Sequence, residues 1–324
     1  WQQPDWPDFR WNADALAERE ARFLQEAGRL AGAFAHLGAG DREELRVELL
    51  SAEALKTSEI EGELLDRDSV QSSIRRQFGL QTDNRRVRPE EQRIAALMVD
   101  LYRHFDAGLD STTLFGWHEL IMGQRRDLGV IGGWRVHDDP MQVVSGPVHR
   151  PKIHFEAPPS AQVPEEMARF LDWFDETRPQ NSRTTLPPLT RAGLAHQWFI
   201  CIHPFEDGNG RIARAIAEKA LAQGLGQPSL IALSYRIERE RKGYYEVLER
   251  ENKGNEVTGW LDWFASTTLT ALDDSQRKVA FLIEKTRLFD AVRNQINPRQ
   301  TKALERMFRE GPDGFTGGLS AGNY

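Results

Sequence analysis

PLTRAGLAHQWFICIHPFEDGNGRIARAIAEKALAQ, residues 188–223, decides the reading of this chain. Its flanks, PLTRAGLAHQWFICI and RIARAIAEKALAQ, carry apolar residues at helical spacing, whereas His203–Gly210 between them holds charge and little side-chain bulk. The pattern predicts one helix ending near Ile202, another beginning near Arg211, and a working loop that joins them.

Outward from that junction the texture stays helical. Leu16, Phe23, Leu24, Leu30 and Phe34 form one periodic run, and Val47, Leu50, Ala54, Leu55 and Ile60 a second, so Asn12 to about Leu80 reads as helix. A basic loop with Arg85, Arg86 and Arg88 closes at Pro89, and EEQRIAALMVDLYRHF restarts the pattern. VPEEMARFLDWF, GYYEVLEREN and GWLDWFASTTLTAL continue it further on. Only Leu128–Pro159 differs, being rich in Gly, Pro and β-branched residues, which predicts short strands joined by turns. The expected fold is therefore an all-α body with one β-hairpin. The opening WQQPDWPDFRW sets Trp1, Trp6 and Trp11 five residues apart around Pro4 and Pro7, an irregular arm whose rings dock on the body. Its apolar surface could also serve a homodimer contact.

With 324 residues and 40% apolar content, the chain can bury a sizeable core. A net charge of −7 argues against a protein built as a whole to cling to nucleic acid or an anionic membrane. The single cysteine, Cys201, excludes an internal disulfide framework and, within the apolar run WFICI, reads as a buried inert thiol. No apolar run is long enough to span a bilayer and no signal peptide is evident, so a cytoplasmic location is expected, with no membrane partner. Because the first residue is Trp1, the true start of the protein is expected to lie upstream.

The loop has a chemical reading. Gly208 and Gly210 permit backbone dihedrals that other residues resist and let a ligand approach the main chain. Their amides and the exposed N–H groups that open the next helix form an anion nest. Arg211 and Arg214, three apart, share a face near that helix's N-terminus, where cations oppose the dipole by a few tenths of a kcal/mol each. Something anionic should compensate, and two guanidinium groups plus a nest suit a di- or triphosphate. Asp207 would repel phosphate unless a hard cation such as Mg2+ bridged them. His203 has the ordinary pKa of a general base near neutrality, and Phe205 should point inward to anchor the loop. Each feature alone is commonplace; twelve residues hold them all.

HPFEDGNGRIAR (residues 203–214) resembles the signature of the Fic family, HPFx(D/E)GNGRxxR, at every defined position. The resemblance covers roughly residues 90–270 and implies a helical core that transfers AMP from ATP to a hydroxyl side chain of a target protein. In that picture His203 deprotonates the hydroxyl and Asp207 holds Mg2+. Gly208, Asn209 and Gly210 line the phosphate pocket, Arg211 binds the α/β-phosphates and Arg214 the γ-phosphate. Glu206 occupies a variable position and receives no role. The β-rich insert is similar to the family's flap, bracketed by Arg135 and Pro158-Pro159, with Val143, Val144 and Ser145 as the edge that aligns the target. RKGYYEVLERENKGN is similar to the adenine-side segment, which implicates Tyr245 and Asn252.

KTSEIEGE, residues 56–63, is similar to the family's inhibitory motif (S/T)xxxE(G/N). Thr57 and Glu61, four apart, project from one helix face, and Gly62 lets the helix end close on the pocket. The resemblance implies that Glu61 pairs with Arg214 and holds ATP unproductively. Expected domains are a helical segment 1–89 with the inhibitory helix, a catalytic core 90–275, and residues 276–324 as a linker and partial winged-helix-like segment. Two alternatives stand beside protein adenylyltransferase: removal of AMP at the same site, and DNA binding through Arg299, Lys302, Arg306 and Arg309.

Overall fold

In the computed structural model, the described residues are 1–83, 85–123, 125–145, 152–179, 186–293 and 295–308. Two helices, α7 (Pro188–Ile202) and α8 (Asn209–Leu225), pack on each other at the centre and are buried on nearly every face. Their burial takes in polar side chains too, among them Arg191, His196, Arg211, Arg214 and Glu218. Pro188 opens α7 at its first position, where a missing N–H costs nothing. Gly226, with φ of 67°, closes α8 in the left-handed conformation.

The segment read as helical from Asn12 to about Leu80 comprises α1 (Ala13–His36), α2 (Ala39–Ile60) and α3 (Arg67–Gln77). Asn12 and Asp66 cap α1 and α3 through side-chain oxygens that accept from the backbone N–H groups of Ala15 and Ser69. The chain continues through α4 (Pro89–Arg103) and α5 (Ser111–Met122), then α6 (Val163–Glu176) before α7. After α8 come α9 (Leu233–Arg239), α10 (Arg241–Glu251), α11 (Thr258–Val292) and α12 (Pro298–Phe308). The 35-residue α11 passes the expected boundary at 275/276 without a break and packs on α1, α2, α7, α9 and α10.

Two buried acids tie the N-terminal helices to the centre. Glu20 of α1 accepts from the backbone N–H groups of Leu189 (3.1 Å) and Thr190 (2.7 Å), capping α7 from another helix. Glu53 of α2 does the same for α9, accepting from the Ser234 N–H (2.8 Å) and hydroxyl. Both meet orphan N–H groups and the positive end of a dipole. Burial pushes both carboxyls upward in pKa.

The aromatic arm docks on the body as expected. The Trp6 and Phe9 rings meet Trp198 of α7 edge-on, with centroids 6.4 and 5.8 Å away, and Trp6, Phe9 and Trp11 all pack on the main core. Trp1, Trp6 and Trp11 remain partly exposed beside this contact. Cys201 is a buried free thiol whose pKa burial pushes up to about 12. Among the described residues no helix is long and apolar enough to cross a membrane.

The insert supplies the expected hairpin. Strands β1 (Gln142–Ser145) and β2 (Lys152–Glu156) pair antiparallel, Val143 opposite Phe155 and Ser145 opposite Lys152, with a bulge that leaves His154 unpaired in the ladder. Glu249 of α10 tethers β2 through Lys152 (3.0 Å) and His154 (2.9 Å). Arg309 and the rest of the winged-helix-like segment lie outside the described residues. Before them, α12 sets Phe308 between Phe281 and Phe289 of α11.

Candidate active site

Between α7 and α8 the chain makes two left-handed turns, at His203 (φ 51°) and Gly208 (φ 82°). His203 bears that uncommon conformation without being glycine, which marks a residue held by its surroundings. The positive φ is what favours glycine at 208; a Cβ there would come closest to the movable end of the Met122 side chain, 2.7 Å away. Asn209 is buried and braces the loop from within: its side-chain oxygen accepts from the Phe205 N–H (3.0 Å) and its amide donates to the Phe205 carbonyl (2.8 Å). Of Asn209, the backbone is therefore what remains to face a ligand. Phe205 points inward as expected, stacked on His118 at 4.1 Å. Arg135 holds the loop from the flap side. Its Nε donates to the His203 carbonyl (2.8 Å), Nη1 to Ser160 Oγ (2.9 Å) and Nη2 to the Pro158 carbonyl. One buried guanidinium thus joins the catalytic loop to both ends of the insert.

The His203 Nδ1 lies 3.3 Å from the Ile200 carbonyl, which can only accept. Nδ1 therefore carries the proton, and Nε2 is left as the basic atom. Desolvation pushes the imidazole down to about pKa 4, with Arg135 adding to the shift, so the ring is neutral at physiological pH.

Arg211 and Arg214 stand on one face of α8, each almost wholly buried. Both are engaged by the end of α2. Arg214 donates from Nε to Thr57 Oγ (2.9 Å), and from Nη2 to the Thr57 carbonyl (2.9 Å) and Glu61 Oε1 (2.8 Å). The expected Thr57–Glu61 face meets Arg214 here. Arg211 donates to Glu63 Oε2 at 2.6 Å, a contact the sequence reading did not anticipate. The local reason is a Schellman turn. Gly62, at φ 87°, gives its N–H to the Glu59 carbonyl (3.0 Å), and the Glu63 N–H reaches the Ser58 carbonyl (3.0 Å). That turn brings Glu61 and Glu63 to the same side. The Glu61 carboxylate lies against Gly210, where any Cβ would collide with it.

Asp207 accepts from the Gly208 N–H through Oδ1 (2.6 Å) and from Arg125 Nη1 through Oδ2 (2.7 Å). Arg125 is held in turn by both oxygens of Asp127 (2.8 and 2.7 Å). Glu206, to which no role was given, accepts from the N–H groups of Gly129 (2.9 Å) and Val130 (3.0 Å), pinning the segment that leads to the flap. Among the described residues no group of three His, Cys, Asp or Glu could hold a metal by itself. A lone Asp207 carboxylate fits an ion whose remaining ligands are phosphate oxygens and water.

Val143 and Val144 are exposed on β1, and the Ser145 backbone belongs to the same strand; its side chain lies outside the described residues. Tyr245 of α10 is half-exposed and near enough to Glu61 and Arg214 to feel both charges. Asn252, capping α10, keeps a buried Oδ1 without a hydrogen-bond partner among the described residues. The residues missed by sequence reasoning are Glu63, Arg125, Asp127 and Glu206. Only Glu63 had a local signal: it sits one position past the helix-ending glycine, where a Schellman turn commonly places an apolar residue.

A helical body built around a glycine-bearing loop, with a buried arginine pair on the helix that follows and a two-stranded flap beside it, defines a Fic-type fold. Residues 108–221 match the Fic/DOC family, so the chain carries a Fic/DOC domain, and residues 1–80 match a family described only as a domain of unknown function (DUF4172). Protein adenylyltransferase Fic of Drosophila sechellia is 29% identical over 139 residues, which is 42% of this chain and 26% of that protein. Protein adenylyltransferase Fic of Nematostella vectensis is 31% identical over 117 residues, 36% of this chain and 25% of that protein. The matched part thus spans about a quarter of these relatives' length. The crystal structure of a Fic family protein from Desulfovibrio desulfuricans aligns over 98% of this chain and 84% of its own, with a TM-score of 0.60 at 22% identity, a likeness of fold.

Proposed function

We propose that the protein is an adenylyltransferase that moves AMP from ATP to a hydroxyl side chain of a target protein and is restrained by its own N-terminal helix. The observation that carries the reading is the pairing of a neutral, tautomer-fixed His203 with two buried arginines near the start of the helix that follows its loop. The target hydroxyl attacks the α-phosphorus, its proton passes to His203 Nε2, and the bond to the departing diphosphate breaks. Arg211 and Arg214 bind the phosphates, Gly208 lines their pocket with its N–H held by Asp207, and the Asn209 and Gly210 N–H groups orient them. Asp207 would hold a magnesium ion, which when bound neutralises phosphate charge. Val143, Val144 and Ser145 offer a strand edge that fixes the target segment by backbone pairing, so the hydroxyl is presented to His203. Tyr245 and Asn252 form the adenine side.

In the restrained form, the end of α2 occupies both phosphate-binding arginines, Glu61 on Arg214 and Glu63 on Arg211. Labelling with α-labelled ATP tests the whole reading. Glu61→Gly should raise label incorporation at least tenfold over the wild type, and His203→Ala in that background should abolish it while nucleotide binding persists. Equal labelling of wild type and Glu61→Gly removes the brake. Undiminished labelling without His203 removes the base.

A further inference from the structure

We propose that Arg125 is the internal counter-cation of Asp207, standing where a divalent ion must stand, and that metal entry requires the guanidinium to retreat onto Asp127. This rests on the reading of Asp207 as the metal carboxylate.

The geometry sets the competition. Asp207 has two oxygens and both are occupied: Oδ1 by the Gly208 N–H at 2.6 Å and Oδ2 by Arg125 Nη1 at 2.7 Å. The first contact is backbone and belongs to the loop itself. A cation can therefore gain full access to the carboxylate only at the expense of Arg125. A carboxylate oxygen has a second lone pair, but an arginine and a divalent ion drawn to the same oxygen repel each other, so the two compete for Asp207.

Arg125 is built to yield. Its grip on Asp207 is a single Nη1 contact, whereas Nε and Nη2 form a two-pronged fork on Asp127, Nε to Oδ1 at 2.8 Å and Nη2 to Oδ2 at 2.7 Å. The fork survives when the single contact breaks, so the guanidinium loses one hydrogen bond and keeps two. A cavity of about 280 Å3 borders Arg125 on the side of Met122, Arg211 and Glu63, which leaves the guanidinium room to shift; neither Asp207 nor Asp127 lines it. Two substitutions then have opposite signs. Removing Arg125 deletes the competitor. Neutralising Asp127 takes away the place to which it retreats and leaves its charge to Asp207 alone.

Both side chains of the Asp207 pair are about two-fifths exposed. Water and salt screen such a contact, and the effect on ion affinity is accordingly about twofold to fivefold. The test is titration of the full chain with Mn2+, with a non-hydrolysable ATP analogue present, reading free Mn2+ by its electron paramagnetic resonance signal. Arg125→Gln should tighten Mn2+ binding by about threefold, and Asp127→Asn should weaken it by a similar factor. The double variant should behave as Arg125→Gln, because Asp127 acts only through the arginine. Unchanged or weaker binding in Arg125→Gln overturns the proposal, as does tighter binding in Asp127→Asn. Asp207→Asn separates the two levels of the argument. If it binds Mn2+ as well as the wild type, the assignment of Asp207 fails and this inference falls with it. If it loses binding while Arg125→Gln matches the wild type, only the role of Arg125 is lost.

Discussion

Glu63 gives the sharpest test of the brake, because nothing but its contact with Arg211 assigns it a role. Arg211 is 3% exposed, whereas the Glu63 side chain is 44% exposed and 2.6 Å from it. A hydrogen bond between charged groups contributes about 1.5–3 kcal/mol when shielded and less than about 1 kcal/mol at a surface. Half-exposure of one partner places this pair near 1 kcal/mol, or about fivefold in an equilibrium constant. An incoming triphosphate must displace that contact, so Glu63→Gln should tighten binding of a non-hydrolysable ATP analogue by about fivefold. Isothermal titration calorimetry with magnesium in excess measures it. Glu61→Gly should act more strongly, since Glu61 is 29% exposed and stands on a fully buried Arg214. The two effects will not simply add, because both carboxylates hang from one Schellman turn. The Glu63 gain should also shrink at high salt, as screening weakens a half-exposed pair. Weaker or unchanged binding in Glu63→Gln would refute the reasoning, since a group that occupies Arg211 must compete for it.

The pH dependence of activity follows from His203, which must be neutral to accept a proton and whose pKa is pushed down to about 4. In the Glu61→Gly variant, kcat/KM should stay flat from pH 8 to 6 and fall only below about pH 5; removal of Glu61, whose charge raises this pKa, keeps the limb low. An acid limb at the ordinary histidine value near 6.5 would count against it. Burial and the neighbouring Glu53 push Glu218 up to about 8 from 4.5, so the folded state retains a proton that the unfolded state has lost between those values. Stability therefore falls as pH rises through that window. Glu218→Gln should melt with the wild type near pH 4 and several degrees above it at pH 8; parallel melting curves across the range would contradict this.

The parts of the fold legible in the sequence are those whose causes are local. The runs around residues 188–202 and 209–225 carry apolar residues at helical spacing, and a pair of helices packed on each other at the centre is what such runs permit. The glycines at 208 and 210 announced the loop because close approach and positive φ have few other solutions. What stayed hidden depends on partners distant in the chain. Glu20 and Glu53 look like solvent-facing acids until α7 and α9 bring N–H groups to them from 169 and 181 residues away. Arg125 and Asp207 are 82 residues apart, and no periodicity relates them. Asn209 shows another limit: the sequence places it in the phosphate loop, but only the fold reveals that its amide faces Phe205.

The charges of the proposed brake would let it both hold and release. Glu61 and Glu63 lie at the C-terminal end of α2, where the dipole disfavours anions, and Arg211 and Arg214 lie at the N-terminal end of α8, where it disfavours cations. Each helix end carries the sign it tolerates least, and each is relieved by the other. Such a contact is weaker than the bare proximity of two carboxylates and two guanidinium groups suggests, because part of its Coulomb energy only offsets the two dipole penalties. A nucleotide's phosphates would relieve the α8 end equally well and would also meet the Asn209 and Gly210 N–H groups. Among the described residues Arg211 Nε and Arg214 Nη1 have no hydrogen-bond partner, so donors would remain for an incoming anion. On the opposite side Arg125 neutralises Asp207 in the same manner. The closed site is thus balanced by its own side chains, and a magnesium-bound triphosphate can exchange with them at little electrostatic cost.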